Sequence, residues 1–191
     1  MKIERLTLVV VVALALAALP GCSASNATTD DKAAVVLSVE ITGGPADWPV
    51  NTFEDLNIPD MSINSRAKNP SANLSAQQDV TLREWVITPR RTDGGTVASP
   101  QWRNYYTVYV PAGGNASLSN YRIYPAEFFR QPPLLHLFPE NGGYCPETGQ
   151  PFIRQAFHVE VFGQTVAGRS ISVSFDVTIR FYYGTPEVGN S

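Results

Sequence analysis

Between residues 171 and 182 the sequence alternates without interruption. Ile171, Val173, Phe175, Val177, Ile179 and Phe181 fall on one side, and Ser172, Ser174, Asp176, Thr178, Arg180 and Tyr182 on the other. Successive side chains of a strand point to opposite faces, so this period specifies a long strand with one buried and one wet face. Such a face must be covered by a second layer, which restricts the chain to packed architectures.

Other segments carry the same kind of signal. Residues 34–41 are apolar and β-branched and stop at Thr42-Gly43-Gly44-Pro45, which is turn chemistry. Residues 80–88 place Val80, Leu82, Glu84 and Val86 on one side and Thr81, Arg83, Trp85 and Ile87 on the other, with apolar groups on both. Residues 105–110 form a short strand closed by Pro111-Ala112-Gly113-Gly114-Asn115, and residues 156–162 lead through a turn at 163–168 into the alternating strand. Past Cys22, no window keeps a helical apolar stripe free of Pro and Gly, and 15 prolines punctuate the chain. The expectation is an all-β fold, a sandwich of two antiparallel sheets with long loops.

The amino terminus reads as an export signal. Met1-Lys2-Ile3-Glu4-Arg5 is charged, and residues 6–18 are an uncharged apolar run shorter than a bilayer-spanning helix needs. Leu19-Pro20-Gly21-Cys22 follows and resembles the lipobox of bacterial lipoproteins. That resemblance implies acylation of Cys22 and stable membrane attachment through several acyl chains. Ser23, where Asp would signal inner-membrane retention, implies the outer membrane in a Gram-negative cell. The expected organisation is a signal peptide at 1–21, a small, polar tether at 22–32, a β-sandwich domain at 33–185 and a short tail at 186–191.

Trp85 in mid-strand and the closing pair of strands resemble an immunoglobulin-like or fibronectin type III-like domain, although the paired core cysteines of antibody domains are absent. The lipobox, tether and terminal hairpin together resemble small lipoproteins of environmental bacteria that carry one such domain. Architecture transfers no site residues, so the resemblance implies fold and location alone.

The chemistry-bearing residues are few. With 14 Lys+Arg against 17 Asp+Glu, the chain lacks the field that attracts nucleic acid. Its two histidines and two cysteines are too few for a zinc cage, and no cofactor or metal is expected. His136 reads as a half-buried strand residue and His158 as an outward or cross-strand partner. Glu127, Glu140, Glu147, Glu160 and Asp176 would make a carboxylate hydrolase only if they converged in a cleft. Solvated surface charge is the expected role for them. Asp55, Asn57 and Asp60 lie in an expected loop but lack the spacing of a calcium loop. Cys145, left without a partner once Cys22 is acylated, is a possible reactive thiol, expected to be buried.

The densest binding signal lies at 102–152, where eleven aromatics interleave with prolines. Much of it after Val110 reads as a long excursion from the sandwich. Trp102, Tyr105, Tyr109, Tyr121 and Tyr124 are the candidate ligand or partner surface, against the alternative that aromatics of this density anchor the excursion to the core. The expected function is a non-catalytic, lipid-anchored envelope protein whose sandwich contacts other envelope proteins. A saccharide- or peptidoglycan-binding module is the alternative, and a carboxylate hydrolase ranks below both.

Overall fold

The alternation at 171–182 becomes the last strand of a two-sheet, all-β structure in a computed structural model that describes residues 32–184. In chain order the strands are β1 (Val35–Thr42), β2 (Asp47–Pro49), β3 (Leu56–Ala67), β4 (Val80–Arg91), β5 (Trp102–Asn104), β6 (Val108–Val110), β7 (Asn115–Tyr124), β8 (Phe152–Thr165) and β9 (Ser170–Tyr182). Among the described residues there is no α-helix, only short 3-10 turns. The expected signal peptide at 1–21, Cys22, nearly all of the expected tether and the expected tail lie outside the described residues.

One sheet has three strands in the order β1-β3-β7, and the other has six, ordered β2-β9-β8-β4-β5 with β6 also on β4. All pairings are antiparallel except that of β2 with β9. The six apolar positions of β9 are all buried, facing Val159, Val161 and Phe157 of β8 in the same layer. Burying a side chain of this size contributes about 1.5–3 kcal/mol, so this strand is a main source of stability. An aromatic seam joins the sheets. Tyr124 of β7 meets Phe157 edge-on at 5.0 Å between centroids, and Phe157 meets Phe181 at 5.8 Å.

Several expectations are corrected here. Gly163 does not begin the last turn, because β8 runs on to Thr165 and the chain reverses at 166–169, with Gly168 at φ +75°. In β4 a bulge at Arg83 switches faces: Val80 and Leu82 point inward, then Trp85 and Ile87, while Glu84 lies on the outer face. β3 and β7 are strands where a loop and an excursion were expected. Each slips phase midway: Pro59 and Asp60 interrupt the buried series of β3, and Asn120, at φ +52°, interrupts that of β7. The excursion is thereby shortened to residues 125–151 and is anchored by the buried Phe129, Leu134, Leu137 and Phe138.

The strand directions leave residues 68–79 beside the β8–β9 turn and gather the other long connections at one end. Residues 43–55, 92–101 and 125–151 all lie there, whereas the β8–β9 turn and the entry of the chain at Lys32 lie at the other, where Lys32 shares a surface depression with Gly168, Arg169 and Ser170.

Candidate functional site

β5 and β6 are two pieces of one strand along the free side of β4. Trp102 pairs with Ile87 and Asn104 with Trp85, then Val108 with Leu82 and Val110 with Val80. Between these pairs the edge strand has three residues, 105–107, where β4 has Arg83 and Glu84, so the chain bows outward. The buried indole of Trp85 donates from Nε1 to the Tyr106 carbonyl at 2.9 Å and holds the bow in place. As a result Tyr105 is 72 % exposed, Tyr106 48 % and Tyr109 54 %. The Tyr109 hydroxyl donates to Asp79, and with the Ala112 N–H this holds the Asp79 carboxyl below the usual carboxylate range. Trp102 is half-buried, with the Arg122 guanidinium 5.2 Å from its ring centroid.

Tyr121 and Tyr124, expected on the same surface, belong to the core instead. Tyr121 packs on Trp85 with centroids 4.5 Å apart, and the Tyr124 hydroxyl donates to the Pro100 carbonyl at 2.6 Å. Burial pushes both phenols well above their ordinary pKa. Tyr121 is turned inward by the phase slip at Asn120 and Tyr124 by the register shift that sets it against Leu56, neither of which local periodicity announces. Tyr106, which the expected surface omitted, replaces them at the edge.

A second constellation was absent from the sequence reading. Arg91, at the end of β4, has a side chain only 2 % exposed. It forks onto Asp93, with Nε to Oδ1 at 2.7 Å and Nη2 to Oδ2 at 3.0 Å, and its Nη1 donates to the Val97 carbonyl and to Glu147 Oε2 at 2.9 and 3.0 Å. Its Nη2 also reaches Cys145 Sγ at 3.2 Å. Glu147 in turn accepts from the Thr96 hydroxyl and from the backbone N–H of Thr96 and Val97. Gly95 makes room for the guanidinium, since a Cβ there would lie 2.1 Å from Nη2. Burial acts to raise the Cys145 thiol, but hydrogen bonds from Thr148, Arg91 and the Glu147 N–H outweigh it and leave it below the ordinary thiol value. Cys145 is buried, so this thiolate character is enclosed rather than presented to solvent. The network's chemical effect is to lock the 92–101 loop to the 125–151 excursion.

The remaining candidates are scattered. His158 faces Asp176 across β8 and β9, Nδ1 to Oδ1 at 3.0 Å. His136 sits in the 3-10 turn Leu134–Leu137, half-buried, and not in a strand. Glu127 and Glu140 lie on separate 3-10 turns, Glu147 is bound to Arg91, and Glu160 is on the outer face of the larger sheet. Asn57 and Asp60 stand in β3 rather than in a loop. Asp55 is taken by Arg122 and the Ala126 N–H, and Asp60 by the Ser119 hydroxyl. Among the described residues no group of three or more His, Cys, Asp or Glu is arranged to hold a metal. Comparison with protein-family models, curated proteins and solved structures found no match.

Proposed function

We propose that this chain is a non-catalytic, lipid-anchored protein of a bacterial envelope, tethered through Cys22, whose sandwich docks a protein partner along the β5–β6 edge. The observation that carries the reading is the bowed edge strand, on which Tyr105, Tyr106 and Tyr109 stand exposed. Tyrosines are preferred anchors at protein interfaces, and a sheet edge offers backbone groups for strand addition. The chain enters beside the β8–β9 turn, opposite the 43–55, 92–101 and 125–151 connections, so a tether from the membrane leaves that loop end accessible.

An immunoglobulin-like topology belongs to the same proposal. The order β1-β3-β7 facing β2-β9-β8-β4-β5 fits strands A-B-E facing A′-G-F-C-C′, with Trp85 on the C strand where such domains bury a tryptophan. In a Gram-negative cell the location proposed is the outer membrane.

The test is a photo-cross-linking residue placed at Tyr105 or Tyr109 in intact cells, with the mass of the Cys22 peptide read from the same sample. One partner captured from both positions but not from Arg66, on the smaller sheet, together with an acylated Cys22, is the expected result. An unmodified Cys22 removes the anchor, and equal capture from all three positions removes the edge. A saccharide reading is favoured by one feature, the exposed Tyr109 ring beside the Asp79 carboxylate. It requires peptidoglycan fragments to change tryptophan fluorescence and to lose that effect in Tyr109→Ala.

A further inference from the structure

We infer that the outer face of the six-stranded sheet, at its loop-bearing end, binds an acidic segment of a partner protein through Arg90 and Arg154. This surface is separate from the tyrosine edge and stands or falls without it.

The β8–β9 register sets Arg154 directly opposite Arg180. Like charges so placed repel, and a sheet with no use for them has little reason to keep them together. Both guanidiniums gather over one ring, lying 6.0 and 5.9 Å from the centroid of Phe152. Arg90 on β4 pairs with Ala156, which makes it a diagonal neighbour of Arg154 on the same face.

The balance of charge across this patch is uneven. Asp47 forks onto Arg180, with Nε to Oδ1 at 2.7 Å and Nη2 to Oδ2 at 2.9 Å. Further along the face, Asp176 is held by His158. Among the described residues no carboxylate forms an ion pair with the side chain of Arg90 or Arg154, although both residues are exposed. Two neighbouring arginines in this state offer a planar fork for carboxylates, the geometry that arginine matches best.

The partner's chemistry follows from what surrounds them. Asp47 already shows a peptide-borne carboxylate docked at this face, from a three-residue strand laid on the edge of β9. Ala156 and Thr178 are small and let an extended chain come close. A sugar would need a ring to stack on; the Phe152 ring is engaged by two guanidiniums, and Tyr182 opposite it is half-buried next to Asp47 and Arg180. Acidic peptide is therefore favoured over anionic glycan.

The experiment measures binding of labelled poly-glutamate to the full-length chain by fluorescence anisotropy, with polygalacturonate as a parallel probe. The expected result is salt-sensitive binding of poly-glutamate that falls about tenfold in R90Q/R154Q at an unchanged melting temperature, with Arg66→Gln binding as wild type. R90K/R154K, which keeps charge but loses the fork, is expected to fall in between and guards against a folding defect in the first variant. Absence of poly-glutamate binding, or equal binding by wild type and R90Q/R154Q, overturns the inference. Tighter binding of polygalacturonate overturns the peptide assignment.

Discussion

Arg91 reaches across 54 residues of sequence to place its Nη2 3.2 Å from the Sγ of Cys145. The same guanidinium holds Asp93 and Glu147, so one buried cation organises two carboxylates and a thiol drawn from two separate loops. Breaking such a cluster on its cationic side leaves the buried Asp93 carboxylate uncompensated, which is costlier than the net worth of the pair.

Arg91→Met is accordingly expected to lose about 3–5 kcal/mol of unfolding free energy in a urea titration. Cys145→Ala, which removes an acceptor and little volume, is expected to lose about 1–2 kcal/mol. Equal losses in the two variants would refute the central place given to Arg91.

The cluster also makes stability pH-dependent. Burial acts to raise the Asp93 carboxyl, yet hydrogen bonds from Arg91 and from the N–H groups of Arg154 and Gly95 outweigh it and set its pKa below the usual value. A carboxyl depressed in the folded state contributes stability that is fully present above the unfolded value of about 3.9 and is lost as pH falls through the folded one. The gap in melting temperature between wild type and Asp93→Asn should therefore be constant near neutrality and shrink below about pH 4. A gap that does not change with pH would show that Asp93 carries no ionised interaction.

Phe175 is fully buried on β9, and Phe175→Asp places a charge among apolar groups without a partner. Failure to fold is expected, read as insoluble expression or loss of a cooperative melt. A soluble variant with a normal transition would refute the inward face of the strand.

Gly163 faces the bulge of β4 so closely that an added Cβ would lie 2.2 Å from the Thr81 carbonyl oxygen and 2.7 Å from Leu82 Cα. Backbone cannot move aside as a side chain can, so Gly163→Ala is expected to lower stability by about 1–3 kcal/mol. Thermal melting of the purified variant checks this, and an unchanged melting point would mean that the two strands do not approach as described.

Trp85→Phe keeps an aromatic ring in the core and deletes the donor to the Tyr106 carbonyl. Amide exchange at residues 105–107 should accelerate while exchange in β9 stays slow, because the bow loses its tie and the hairpin does not. Uniform acceleration in both regions would instead show a global loss of stability.

The strands that were legible are those whose alternation runs unbroken. β9 and β1 bury every second residue along most of their length, and both could be read from residue type alone. β3 and β7 were hidden for one reason: Pro59 and Asp60 in one, and Asn120 in the other, shift the phase of the buried positions. Where β4 bulges at Arg83, the strand was legible but its faces were not, since one inserted residue sends every later side chain to the opposite side. Two separate irregularities in β7, at Asn120 and opposite Leu56, put Tyr121 and Tyr124 in the core, while Tyr105 and Tyr109 are exposed.

The sequence by itself therefore determined the class of fold, through the period-two pattern that β1 and β9 carry locally. The tertiary structure alone decided which aromatics face solvent, which loop receives Arg91, and that Arg154 stands against Arg180. These are contacts between residues distant in the chain, set by strand register and by single-residue bulges, and no local pattern encodes either one.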